Sequence, residues 1–304
     1  MKKAFSLIEV IFVLVILGIV ASISSQIIVQ VYESYITQNA IYRTSLKTEL
    51  AANQIVNRLT YAIQGTTIAK EPNKIYDENM TTWAMLEDID VMNNPNHKKL
   101  IMLEWIGYDS DSFSAGATPY WSGVANYESA TTTDFETPGS RLSRASKIIK
   151  NLSNKKVDLG GLLEDPAVLF MNSNDYDVKC MGLIDESNTS CIFKVQKTIG
   201  EENNLTFTGT VPKEVTERYK LTWSAYALVP EKQPNGLYNL NLYYNYQPWN
   251  NETYKDGNKS LLINNISVFK FTENGGTIQF KLCATENIGA DYNISTCKEK
   301  AIIR

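Results

Sequence analysis

From Phe5 to Ile23 the chain reads FSLIEVIFVLVILGIVASI, an apolar run preceded by Lys2 and Lys3 and interrupted by a single acid, Glu9. About 20 consecutive apolar residues are enough to cross a bilayer as a helix. In hydrocarbon every peptide group must be satisfied within the segment, so helix is the form open to such a run. A carboxylate inside it costs on the order of 3 kcal/mol on insertion scales unless something pairs with it. Anchoring alone does not require that cost. A secretory signal would end a shorter apolar core at a small-x-small cleavage site, whereas this run continues past Ser22 and Ser24 into an amphipathic pattern.

Two basic residues, then Ala4, then Phe5-Ser6-Leu7-Ile8-Glu9-Val10 resemble the type IV prepilin signal. That resemblance implies cleavage between Ala4 and Phe5 by a prepilin peptidase and N-methylation of the Phe5 amine. It places Glu9 at the fifth position of the processed chain, where the family's glutamate neutralises the terminal ammonium of a docking neighbour. Ala4 stands where the family usually has Gly, and Gln26 where major pilins often carry a kinking Pro. The resemblance is strong over roughly the first 60 residues and loose beyond.

The lysines ahead of the apolar run predict a cytoplasmic amino terminus. The chain would then be a single-pass protein of a bacterial inner membrane with its bulk in the periplasm, transferred later to a pilus or pseudopilus. The formal charge of −4 becomes about −6 once Lys2 and Lys3 are removed, an ordinary balance that argues against a nucleic-acid surface. The four cysteines, Cys180, Cys191, Cys283 and Cys297, lack Cys-x-x-Cys spacing. They suit disulfides in an oxidising compartment. Of the three pairings, the local Cys180–Cys191 and Cys283–Cys297 are expected, with buried free thiols as the alternative.

No proline interrupts residues 5–64, and the helix is expected to run from Phe5 to about Ile63, roughly 90 Å at 1.5 Å per residue. Residues 5–28 would span the membrane and 29–64 would be amphipathic. Val31, Tyr35, Tyr42 and Leu46 share one face that drifts into Ala52, Val56, Leu59 and Ile63, opposite Glu33, Lys47 and Arg58. This stripe is expected to pack against the chain's own domain. Residues 66–165 are hard to read, apart from the apolar KLIMLEWI at Lys99–Ile106 and a short helical pattern at Arg141–Leu152. The last third reads as antiparallel strands: Leu221–Val229, a half-buried Gly236–Tyr246, and Leu261–Phe271 with Thr277–Cys283 around the hairpin signal Glu273-Asn274-Gly275-Gly276. The expectation is an α+β, pilin-like fold: a leader (1–4), a long helix (5–64) and a globular domain (65–304) whose sheet lies mainly in 190–304.

Other chemistry finds less support. The lone histidine, His97, sits in a polar loop, no nucleophile-elbow, P-loop or dinucleotide signature appears, and Asp88 with Asp90 is a carboxylate pair any acidic chain offers. The reading is not an enzyme, with no cofactor. Asp109-Ser110-Asp111 and the Asn172, Asn174, Asp175, Asp177 stretch supply oxygens of the kind calcium takes, but lack the EF-hand glycine and distant glutamate, so the reading assigns no metal. Arg141, Arg144, Lys147 and Lys150 recur every three residues, a pattern usual for a solvated face.

Eight Asn-x-Ser/Thr sequons occur, at Asn79, Asn151, Asn188, Asn204, Asn251, Asn258, Asn265 and Asn293. Five of them, Asn79, Asn188, Asn204, Asn258 and Asn293, carry an acid two residues earlier. Acids are 33 of the 304 residues, so chance would supply about one such match in the eight. The extended motif resembles the acceptor of bacterial periplasmic N-glycosylation.

The family resemblance implies a minor pilin or pseudopilin, a structural subunit of a type IV pilus or a type II secretion pseudopilus. Its partners would be other pilin subunits through the helix, the prepilin peptidase, an inner-membrane assembly platform, and a secreted substrate or surface ligand. The alternative is a filament-tip adhesin or DNA-uptake module.

Overall fold

The computed structural model describes residues 6–74, 82–89, 94–174, 176–289 and 292–303. Helix α1 (Leu7–Leu59) comes first, a rod of about 80 Å at 1.5 Å per residue. It stops at Leu59 rather than Ile63, because the next residues leave the helix to pair with a strand: Ile63 N–H donates to Ile106 O at 2.9 Å. In chain order there follow β1 (Ile68–Lys70), β2 (Trp83–Met85), β3 (Met102–Gly107), α2 (Ser110–Phe113), β4 (Asp134–Glu136), α3 (Leu142–Leu152), β5 (Ala167–Phe170), β6 (Phe193–Lys197), β7 (Asn204–Phe207), β8 (Tyr219–Thr222), β9 (Ser224–Lys232), β10 (Tyr238–Tyr246), β11 (Asn258–Asn274), β12 (Thr277–Asn287) and β13 (Asn293–Ile303).

Two antiparallel sheets result. The larger has the order β13-β12-β11-β10-β9-β3-β1-β2 and the smaller β4-β7-β6-β5-β8. The long helix followed by antiparallel sheet is the expected α+β layout, although the large sheet also draws strands from residues 68–107. The Gly275-Gly276 hairpin forms as its sequence predicts. Both glycines have positive φ, 57° and 74°, and Asn274 pairs with Thr277, the conformation that right-twisted strands require of a two-residue turn.

β3 and β9 are hydrogen-bonded neighbours whose last and first residues, Gly107 and Ser224, face each other. Everything between them, residues 108–223, is an insertion that leaves and re-enters the large sheet at one point and builds the whole small sheet. The apolar run Leu221–Val229 is therefore not one strand. Trp223 divides it, with β8 in the small sheet and β9 in the large. Gly107 is required at the junction because a Cβ there would lie 2.6 Å from the Tyr226 ring.

The layers follow from alternation. In β3, Leu103 and Trp105 face the α1 side with Ile55, Leu59, Leu228 and Leu282. Met102 and Ile106 face the insertion with Ala167, Leu169, Met181 and Ile192. β5 alternates in turn, sending Val168 and Phe170 to a third cluster beneath α3 with Phe135, Ile149, Phe193 and Leu221. The middle of the large sheet is thus covered on both faces. This corrects the half-buried reading of β10, in which Asn241 is 3 % and Asn245 5 % exposed. Asn245 survives burial because its amide donates to Ser153 O at 3.0 Å and its N–H to Ser224 Oγ at 2.8 Å.

Candidate functional site: the amino-terminal helix and the sites beyond it

Every residue from Ser6 to Tyr35 is exposed, and the first buried position on α1 is Ala40. No Asp, Glu, Lys or Arg occurs between Glu9 and Glu33, a span of about 35 Å at the helical rise and so close to the hydrocarbon thickness. Leu14, within this span, is 64 % exposed. The helix is long and apolar enough to cross a membrane, and none of its most apolar stretch is buried. At the tip, the Ser6 N–H donates to Glu9 Oε2 at 3.2 Å, which turns the carboxylate toward the start of the helix, one residue along the chain from Phe5. Ala4 and Phe5 lie outside the described residues.

Residues 1–25 match the family model described as the prokaryotic N-terminal methylation motif. The amino terminus carries a type IV prepilin-like signal. No curated protein and no solved structure matches the chain. A prepilin-like signal on an exposed apolar helix suits membrane anchoring and assembly with other pilin-type subunits.

The prepilin-like helix changes character after Tyr35. Its buried face is Ala40, Thr44, Thr48, Ala51, Ala52, Ile55 and Leu59, which keeps the expected stripe at Ala52 and Leu59, with Ile63 buried just beyond the helix, but departs from it before Ala52. Val31 (65 %), Tyr35 (64 %), Tyr42 (69 %) and Leu46 (47 %) are exposed. Small residues win because they let the helix axis approach the pleated sheet closely, and bulkier ones would hold it off. Polar ties fix the seat on the β12–β13 side. Thr44 donates to Glu286 at 2.7 Å, and Glu49 pairs with Lys300 at 2.5 Å and Lys298 at 3.3 Å. Those two ammonium groups hold the Glu49 carboxyl below its ordinary range.

Cys180–Cys191 and Cys283–Cys297 are both bonded, with Cα separations of 5.1 and 4.0 Å. The second joins residues directly opposite in β12 and β13. The Arg141–Leu152 pattern forms α3, whose Leu142, Ala145 and Ile149 are buried. Its basic side chains find local partners, with Arg144 over the Tyr120 ring and Lys150 on Asp158 at 3.2 Å. His97 lies in a short 3-10 turn with its Nε2 2.9 Å from the Asn94 amide. The oxygen-rich stretches do not converge. Asp109 is buried as the cap of α2 while Asp111 is exposed, Asp177 caps Lys179 N at 3.0 Å, and Asp90 and Asp175 lie outside the described residues. Among the described residues no cluster of three or more His, Cys, Asp or Glu is arranged to hold a metal.

Of two buried acidic sites, Glu104 was not singled out in the sequence and Asp109 was read there only as a calcium-type oxygen. Glu104, 2 % exposed, pairs with Lys70 at 3.0 Å and accepts from the Tyr246 hydroxyl at 2.8 Å. Lys70 also donates to Leu183 O at 2.7 Å, which ties β1 and β3 to the insertion. Burial, then Glu104, pushes the Tyr246 phenol well up. An acid within the apolar KLIMLEWI was the signal available. Asp109 sits at the neck of the insertion. It is fully buried, accepts from Ser112 N–H at 3.2 Å and from the Ser112 hydroxyl, and its own N–H donates to Leu221 O at 2.8 Å. Burial pushes its carboxyl up to about 7.

Proposed function

We propose that the chain is a structural subunit, a minor pilin or pseudopilin, that polymerises into a type IV pilus or a type II secretion pseudopilus. One observation carries this reading: a methylation motif on a helix whose first 30 described residues make no buried contact with their own chain. Such a surface needs an apolar environment. Lipid supplies it for the stored subunit, and neighbouring helices supply it in a filament. The exposed Tyr35, Tyr42 and Leu46 extend the apolar surface beyond the bilayer span, and filament neighbours would cover them too.

In this reading the leader is cut after Ala4, Phe5 is methylated, the amino terminus starts in the cytoplasm, and residues 65–304 stand in the periplasm. Glu9 meets the Phe5 ammonium of the adjacent subunit. Two unpaired charges in hydrocarbon are each costly, and pairing offsets both while setting the axial register. Polymerisation by helix packing is a structural role and calls on no catalytic residue or cofactor.

The test is Glu9→Ala, followed in sheared-filament and membrane fractions. The variant should insert and fold normally, because Glu9 is exposed and, among the described residues, bonds to Ser6 in its own first turn. Incorporation should fall by orders of magnitude, since breaking a buried pair from one side costs about 3–5 kcal/mol. Equal incorporation would leave a plain anchor as the better reading. The insertion at 108–223 favours a second role for the same subunit, display of a binding module at the filament tip. It adds bulk that a repeated shaft subunit would have to accommodate at every step.

A further inference from the structure

We propose that Asn188 is an acceptor for an N-linked glycan. The inference rests on the reading that the globular domain lies outside the cytoplasm. The eight sequons all fall at or beyond residue 79, none of them on α1, and five carry an acid two residues earlier where chance supplies about one. A sequon marks a surface acceptor in an exported chain, and the structure separates these five by accessibility.

Asn79 lies outside the described residues. Asn204 is held in β7 opposite Glu136, with its side-chain oxygen buried, and the Glu202 carboxylate ahead of it is engaged by Ser143. Asn258 and Asn293 are exposed but paired in ladders, opposite Tyr244 and Asn287. Asp256, ahead of Asn258, is occupied by the N–H and hydroxyl of Thr253, each at 2.9 Å. A transferase must surround the asparagine and bend the chain about it, which a ladder residue resists.

Asn188 alone of the four described stands in a turn. It is exposed, as are Glu186 and Ser190. The turn is preformed: Asn188 N–H donates to Asp185 O at 3.0 Å, and Gly182 N–H to Asn188 O at 3.0 Å. The Cys180–Cys191 bridge closes its base. Ser190 Oγ donates to Asn188 Oδ1 at 3.1 Å, which sets the sequon hydroxyl against the amide oxygen and leaves Nδ2 without a bond among the described residues. The donor would be a lipid diphosphate-linked oligosaccharide. Nδ2 bonds the anomeric carbon and gives its proton to a base. The carbon–oxygen bond to the diphosphate breaks, and its electron pair leaves with the phosphate. Glu186 offers the negative charge that a basic group on the transferase would read.

The experiment is peptide mass spectrometry of the chain purified from the membrane fraction of its own cells. The Cys180–Lys194 peptide should carry an oligosaccharide mass, and the Asn204 peptide should not. Asn188→Gln and Ser190→Ala should each remove that mass. Glu186→Gln, a surface change that keeps the Asn-x-Ser triplet, should also lose it. A bare Asn188 peptide as the sole form, or glycan on Asn204 with Asn188 bare, overturns the proposal. Occupancy unchanged in Glu186→Gln overturns the part assigned to the acid. The same digest reports the amino terminus: a methylated Phe5 peptide beside a bare Asn188 sinks the glycan alone, whereas an intact Met1 terminus sinks the pilin reading.

Discussion

The two halves of α1 share one helix and solve opposite problems. From Leu7 to Tyr35 the side chains are mostly apolar and are exposed around the whole circumference, so the segment has no preferred direction toward its own domain. From Ala40 to Leu59 one face is Ala, Thr, Ile and Leu, buried to 5 % or less against the large sheet, and the other remains open. The first half is specified by amount of apolar surface, the second by its fit. A segment that buries nothing on its own chain contributes nothing to that chain's fold, and its residues are free to serve lipid or another subunit.

That contrast predicts where substitutions will register. The largest effect on the globular domain should come from Lys70→Met. It leaves Glu104 charged and buried beside Tyr246 and should cost about 3–5 kcal/mol in denaturant unfolding, whereas Lys70→Met with Glu104→Gln should recover most of it. Equal loss in the single and double variants would show that the ion pair is not what Lys70 supplies.

Asp109→Asn should act through pH. A carboxyl raised to about 7 in the fold, against 3.8 in its ordinary state, makes the folded chain the better proton binder between those values. Its stabilising contribution is full below about pH 4 and is lost as pH rises through about 7. Asparagine removes this term, so the variant should gain about 4 kcal/mol on the wild type between pH 4 and pH 8. Parallel stability curves for the two proteins would exclude a buried, protonated Asp109.

The smallest effects test the two halves of the helix directly. Ala52→Leu, at a site with no exposure, should cost about 1–3 kcal/mol by forcing the helix off the sheet. Leu14→Ala should move the stability of the globular domain by less than about 0.5 kcal/mol. A large Leu14 effect on unfolding would mean the first half packs on its own domain after all.

Legibility followed the range of the forces. The α1 segment, α3 and the Gly275-Gly276 hairpin could be read because each depends on neighbours within a few residues. The aromatic stripe at Tyr35 and Tyr42 misled for the same reason. Periodicity locates an apolar face, but which face meets the sheet depends on how closely the backbones can approach, and the small residues at Ala40, Thr44, Thr48 and Ala52 settled that. The Leu221–Val229 run looked continuous because β8 and β9 are both apolar, and only the pairing partners, β5 for one and β3 with β10 for the other, divide it.

By itself, then, the sequence determined the prepilin-like signal, the charge-free span between Glu9 and Glu33, the long helix and the β-rich last third, all set by local composition and periodicity. Tertiary structure alone decided that residues 108–223 form a sheet inserted between paired neighbours, that Asp109 is buried at its neck, and that Asn188 is presented while Asn204 is shut in a strand. Each of those outcomes depends on contacts between residues far apart in the chain, and no local pattern encodes which surfaces will meet.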